Sequence, residues 1–348
     1  MKTMKAAVLS RPGSMEIREV KQPSCPKDGV LVQVRACGVC AADVKMLSAG
    51  HRALVYPRIL GHEIAGIVAQ SRSPLFREGD RVQAPPGLSC GVCRHCRAHA
   101  DNQCPSVQIL GFNRDGGFAR YLALPLGAGP VRAVLHPLPS NTPFDHAVFA
   151  EPLACCINAQ NKLGLSSKDT VLIVGAGPLG QMHAVLAAQK GAAQVLMADM
   201  DSRRRILSES MGIPVLDALD SSFFEQAMAA TCGRGVDVLI LAAGAGLEAR
   251  FLEIMAVGGR ISIFSGMSSD HSKSALDLNR IHYREIIVAG AYGCTVRQNA
   301  QALEWIASNG SAVERLITRR VSLDAIAEGF FHVQEKVALK SVVEVENE

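Results

Sequence analysis

Aromatic side chains are scarce in this chain. Phe, Trp and Tyr together make up 5% of 348 residues, with a single tryptophan. A platform for stacking single-stranded bases needs several such rings on one face, so that class of binding is excluded. An excess of one charge is lacking too. The 36 basic and 32 acidic residues leave a net +4, and the basic residues are scattered rather than blocked. Neither nucleic acid nor an anionic membrane is an expected partner. The opening MKTMKAAVLSRPGS has no apolar signal core and no small-residue cleavage site, so the expectation is a cytoplasmic chain with reduced thiols. One charge-free run, Thr170–Gln189, has roughly bilayer-spanning length. Gly175, Gly177, Pro178, Gly180, Gln181 and His183 interrupt it, so it reads as a buried strand followed by a buried helix.

Two things are plentiful. Hydrophobic residues reach 48%, enough for large cores, and the length suits about two domains. Cysteines number 11, and in a reducing compartment clustered cysteines point to metal or catalysis before disulfides. The first third reads as β-rich, with short segments at Lys5–Leu9, Met15–Val20, Val30–Ala36, Ile64–Ala69 and Arg81–Gln83, and one helix near Ala41–Ala49. From Thr170 the texture changes. Apolar strands at Thr170–Val174, Gln194–Ala198, Pro214–Leu216, Val236–Leu241, Arg260–Phe264 and Ile286–Gly290 alternate with helices. That pattern predicts a doubly wound parallel sheet covered on both faces. Helices near Val296–Asn309 and Leu323–Gln334 and a strand at Lys340–Val345 form a tail outside that repeat, expected to return to the first domain.

Cys90, Cys93, Cys96 and Cys104 read C-x2-C-x2-C-x7-C. Four thiolates at that spacing close a tetrahedral zinc site of the structural kind. The same opening occurs in ferredoxin motifs, but one isolated set beside a nucleotide fold favours zinc. Gly175-Ala-Gly177-Pro178-Leu179-Gly180 directly follows a strand and opens a helix, the context in which G-x-G-x-x-G marks a dinucleotide turn. Asp199 ends the next strand, where a carboxylate accepts from ribose hydroxyls and repels a 2′-phosphate, so NAD is preferred over NADP. Arg203, Arg204 and Arg205 are the counter-signal, and Arg204 is a candidate cofactor contact. Cys40, His62, Glu63 and Glu151 supply the ligand types of a catalytic zinc site, although Cys40 or His62 taken alone also suits an ordinary core residue. The other six cysteines, Cys25, Cys37, Cys155, Cys156, Cys232 and Cys294, are assigned to packing.

The ordered series GHE at 61–63, GDRV at 79–82, the four-cysteine lobe, GGFARY at 116–121, EPL at 151–153 and VLIVGAGPLG at 171–180 resembles the zinc-dependent medium-chain alcohol/polyol dehydrogenases. It resembles most the sorbitol, threonine and galactitol-phosphate dehydrogenase branch. The resemblance implies an α/β protein with a GroES-like β-rich catalytic domain (1–154, with the structural zinc lobe at 88–105). It also implies a Rossmann domain (155–292), a return segment (293–348) and a cleft between the domains. It makes Cys40 and His62 catalytic-zinc ligands, with Glu63 or Glu151 binding zinc or holding its water. It implies two zinc ions per chain, NAD, and a homodimer or homotetramer joined through the nucleotide sheet.

Three departures stand out. The family's Ser or Thr, two positions after the ligand cysteine, is Ala42, which has no donor or acceptor. The His often found five positions after it is Lys45, a candidate proton acceptor alongside Glu151. The segment Gly290-Ala-Tyr-Gly-Cys294 lacks the arginine of sorbitol dehydrogenases. The expected activity is NAD-linked oxidation of a secondary alcohol in a polyol, a sugar alcohol, phosphorylated or not, or a cyclitol. The alternatives are threonine 3-dehydrogenase-like chemistry or a catalytically impaired zinc-binding scaffold. His51, Arg52, Arg58 and Arg114 are candidate contacts for an anionic substrate, and His282, Tyr283 and Arg284 near the interdomain return are further candidate substrate contacts.

Overall fold

A computed structural model describes residues 2–127, 129–244, 246–267, 272–337 and 339–345. The chain divides into two compact units, one of Met1–Ala154 with Cys294–Glu348 and one of Cys155–Gly293. The division falls inside one helix, Ala150–Lys162.

The first unit is built on antiparallel strands. Gly29–Val39 is the hub, pairing with Glu63–Ser71, Tyr121–Pro125 and Lys340–Glu344. Its alternate residues Val30, Val32 and Val34 enter the main core. A separate small sheet joins Ser14–Lys21, Thr3–Arg11 and Arg58–Ile59. Register matters here more than shape. Gly38 pairs with Glu63 on one side and Val342 on the other, and Ser341 faces Val39. Residues from opposite ends of the chain therefore meet across one strand.

The second unit holds a six-stranded parallel sheet. Its order is Val215–Asp217, Gln194–Asp199, Thr170–Val174, Val236–Leu241, Met255–Ile263, Ile287–Gly290. Starting with the third of these as strand one, this is the 3-2-1-4-5-6 order of dinucleotide folds. Leu172 and Val174 pack on one face while Val171 and Ile173 pack on the other. Both faces are covered, so the strand is apolar throughout rather than alternating. The same burial explains the charge-free run. His183, on the helix Pro178–Gln189, is fully buried, and burial pushes its pKa down to about 3, so it stays neutral. Among the described residues no helix is long and apolar enough to cross a membrane.

Some elements differ from the sequence reading. The strand expected at Arg260 begins at Met255, running through Gly258 and Gly259. The last helix starts at Ile326 rather than Leu323. Ile317–Ser322 is a strand that the reading omitted. It lies at the sheet's end, and Thr318, Arg319 and Arg320 are exposed, so no apolar alternation marks it. All eleven cysteines are free thiols. Cys232 corrects the packing assignment: it is exposed and sits at φ 52° in the turn after the helix Phe223–Ala230.

Candidate metal centres and nucleotide turn

The four-cysteine lobe forms around one short helix, Arg94–Arg97. The Sγ atoms of Cys93 and Cys96 are 3.5 Å apart, Cys90 and Cys104 3.6 Å, and Cys90 and Cys96 3.9 Å. A tetrahedron with Zn–S bonds of about 2.3 Å has S···S edges of about 3.8 Å, so the donor set fits that ion. Backbone amides of Val92 and Cys93 pull the Cys90 thiol down to about 6. Burial and the Cys93 thiol push Cys96 up to about 11. Thiolate character is thus uneven before a cation neutralises it, and filling the site must release protons.

The second cluster is buried. Cys40 caps the helix Ala41–Ala49, His62 directly precedes the strand Glu63–Ser71, and Glu63 begins it. One ligand atom from each of these three lies within 4.8 Å of the others. His62 is 5% exposed and Glu63 1%. Two residues beneath them hold the set together. Asp43 is fully buried in the first helical turn. It accepts from the amides of Cys40 at 2.9 Å and Gly61 at 3.3 Å, and its Oδ1 lies 3.4 Å from His62 Nδ1. Burial alone would lower the pKa of His62, but Asp43 outweighs it and raises it well above the usual value. An anion at Nδ1 leaves Nε2 as the ligand atom, the usual arrangement behind a metal-binding histidine. Lys340, 4% exposed at its side chain, forms an ion pair with Glu63 Oε2. Burial lowers its pKa, and Glu63, with Cys40 and Glu151, more than restores it, so the lysine stays charged. Gly38 makes the room: a Cβ there would strike both Glu63 and Lys340. Glu63 Oε1 is buried without a partner. An orphaned carboxylate oxygen beside a thiol and an imidazole fits a bound divalent cation.

The nucleotide turn follows the central strand directly. Gly175 adopts φ 109°, open to glycine alone among common residues. A Cβ on Gly180 would collide with the Gly175 carbonyl. Gly177 caps the helix, with Pro178 in its first turn and Leu179 after it. Asp199 is anchored by both oxygens, accepting from Ala176 N at 2.7 Å and Asp201 N at 2.8 Å. Of the three arginines, Arg203 pairs with Asp201 and Arg205 with Asp217, each at 2.7 Å. Arg204 leans toward Asp199 at 3.8 Å, and its Nη1 is 3.3 Å from where a Gly177 Cβ would sit. Of the three, Arg204 is the one beside the turn.

Residues 26–133 match the family model for the alcohol dehydrogenase GroES-like domain, and residues 178–308 match that for zinc-binding dehydrogenases. The chain belongs to the zinc-dependent medium-chain alcohol/polyol dehydrogenases. It is an oxidoreductase of the alcohol dehydrogenase class, acting on CH–OH groups. Similar proteins include D-altritol 5-dehydrogenase of Agrobacterium fabrum, 29% identical, covering 92% of this chain and 93% of that one. L-threonine 3-dehydrogenase of Rhizobium rhizogenes is 28% identical, covering 94% of each. A zinc-binding dehydrogenase from Sinorhizobium meliloti, solved with NADP, is 29% identical with a TM-score of 0.87, covering 99% of this chain and all of that one.

In this alcohol dehydrogenase the remaining candidates are placed unequally. Glu151 opens the helix Ala150–Lys162 and stands outside the Cys40–His62–Glu63 set, although its charge reaches Lys340. Lys45 is exposed; at about 100° per residue it points about 200° round the helix from buried Asp43. His51 is tied to the cluster through a ring relay. It stacks edge-on against Phe112 at 5.5 Å, and Phe112 meets His62 at 5.4 Å. Ala53 N donates to His51 Nδ1 at 3.2 Å, which leaves Nε2 as the donor. Arg58 and Arg114 border a different cavity. Asp43, Lys340 and Gly38 were missed by sequence reasoning. Only Asp43 carried a signal, as an acidic residue three positions after a helix-capping cysteine.

Proposed function

We propose that this dehydrogenase oxidises a secondary alcohol of a polyol, sugar alcohol or cyclitol to the ketone, with NAD as the hydride acceptor. The observation that carries this reading is the buried Cys40–His62–Glu63 cluster with Asp43 and Lys340 behind it. In the proposal Cys40, His62 and Glu63 hold the catalytic zinc, Glu151 exchanges with or supports them, and Cys90, Cys93, Cys96 and Cys104 hold the structural zinc. Zinc supplies Lewis acidity that makes a bound hydroxyl acidic near neutral pH, and NAD supplies the redox capacity.

The chain's own residues do the rest. Asp43 orients the His62 ring, and Lys340 offsets the Glu63 charge so that the site does not carry two uncompensated anions. Gly175, Gly177 and Gly180 let the pyrophosphate approach the amides that open the helix at Pro178. Asp199 accepts from the adenosine ribose, and Arg204 covers the turn. Asp199, held by the Ala176 and Asp201 amides, supports NAD because its carboxylate repels a 2′-phosphate. With Ala42 in place of a hydroxyl, the alcohol proton leaves through water to Glu151. The exposed side of Lys45 makes it the weaker acceptor. His51 Nε2 donates to a substrate oxygen beside the reacting carbon.

The strand Ile287–Gly290 ends the sheet, and Ile287 is 56% exposed. An unpaired apolar edge of this kind supports a homodimer or homotetramer. The threonine relative favours a second reading, oxidation of an amino alcohol. A panel of polyols, cyclitols, their phosphates and L-threonine, each with NAD and NADP, separates these readings through reduced-cofactor absorbance. Activity on threonine alone would replace the polyol assignment. Metal analysis finding one zinc per chain, with no activity on any alcohol, would point to a scaffold instead.

A further inference from the structure

The first unit contains a cavity of about 700 Å³ that none of Cys40, His62, Glu63 or Glu151 lines. The volume is that of a small-molecule site. It opens between the strands Thr3–Arg11 and Ser14–Lys21, the short strand Arg58–Ile59 and the 113–116 loop. Its lining includes the apolar Met4, Val8, Ile59 and Leu122. It also includes three cations, Lys21, Arg58 and Arg114, against one acid, Asp115.

Arg58 is the telling residue. Its side chain is 14% exposed, and its Nη1 holds Asp115 Oδ1 at 2.6 Å. That oxygen also accepts from Ile59 N at 3.2 Å. Arg58 Nε is buried and has no partner. A guanidinium remains charged at any physiological pH and offers a planar fork of donors. With one carboxylate beside it, the guanidinium keeps a positive charge in the cavity wall that attracts an anion's oxygens. Arg114 is held nearby, its Nη1 donating to Gln108 Oε1 at 2.8 Å. The lining thus carries excess positive charge together with apolar side chains. We propose that this cavity binds a small amphipathic organic anion. The charged head lies on Arg58 and Arg114, and the apolar body lies against Met4, Val8, Ile59 and Leu122. It is a ligand site separate from the one where the alcohol is oxidised.

Titration calorimetry on the zinc-loaded full chain tests this with hexanoate, its neutral isostere hexanamide, and inorganic phosphate. Hexanoate is expected to saturate one site per chain, with the amide and bare phosphate at least tenfold weaker. Arg114→Gln and Arg58→Gln should each weaken hexanoate about tenfold or more, the loss of a charge-assisted hydrogen bond. His62→Ala should leave it within about twofold. The proposal is overturned by the absence of saturable binding, by equal binding of the amide, or by binding that survives both arginine changes. It is also overturned if His62→Ala abolishes binding, since the carboxylate would then sit at the catalytic zinc. Should Arg58→Gln fail to fold, Arg114→Gln alone decides.

Discussion

Replacing Lys340 with methionine keeps most of the side chain's length and removes one charge from a pair in which neither partner reaches solvent. Glu63 is 1% exposed and Lys340 4% at its side chain. Gly38, between them in the sheet, has no side chain that would let water or another group take the lysine's place. Removing one partner of a buried pair costs about 3–5 kcal/mol, because the other is left as an uncompensated charge. Lys340→Met should therefore destabilise the chelator-treated first unit by about 3–5 kcal/mol. Glu63→Gln should cost a similar amount, and the double variant much less than the sum. The single tryptophan, Trp305, lies in the helix Val296–Ser308 of that unit, so its fluorescence during urea unfolding reads the relevant transition. Zinc offers Glu63 a second source of positive charge, so the penalty should shrink when the protein is metal-loaded. If the two single changes add within about 0.5 kcal/mol, the groups are uncoupled, and Lys340 does not offset the Glu63 charge. A Lys340→Met loss under about 1 kcal/mol, the value of an exposed pair, would refute it equally.

Other consequences can be checked separately. Asp43→Asn should lower zinc affinity or kcat about 10–100-fold, the usual cost of losing a group behind a metal-binding histidine, measured by metal competition and steady-state kinetics. Asp199→Ala should raise the KM for NAD at least tenfold and narrow the NAD/NADP ratio. An unchanged ratio would remove Asp199 from cofactor choice. Cys93→Ser should leave one zinc per chain by metal analysis, with lowered thermal stability. For His183 the folded pKa, about 3, lies below the ordinary histidine value. Its neutral burial therefore stabilises fully above about pH 6.5, and that stability is lost as pH falls toward 3. The loss is on the order of 5 kcal/mol from this residue, so His183→Leu should flatten the acid side of the stability profile relative to wild type. Parallel profiles would refute it.

Contiguous features were legible in the sequence because their geometry is local. The glycine turn needs only a strand, three glycines at fixed spacing and a helix start, and all lie between Thr170 and Gln189. The cysteine lobe closes within 15 residues, so its spacing alone specifies four sulfurs around one ion. The central apolar strands of the second unit announce themselves because both faces of the sheet are covered there. Edge and return elements were less visible. Ile317–Ser322 lies at a sheet edge with polar residues outward, so its composition matches a loop.

By itself, then, the sequence determined which ligand types exist, where the dinucleotide turn lies and which family carries that series of motifs. Only the tertiary structure decided which residues stand behind the ligands. Lys340 reaches Glu63 from the far end of the chain because Lys340–Glu344 and Glu63–Ser71 flank the same strand in a particular register. Antiparallel register is set by packing and by long-range pairing, and no local pattern around either residue reports it. The same holds for the arginines. Asp201 and Asp217 occupy two of the three, and that choice leaves Arg204 over the turn. Charge is written in the sequence, but the partner that spends or preserves it is a property of the fold.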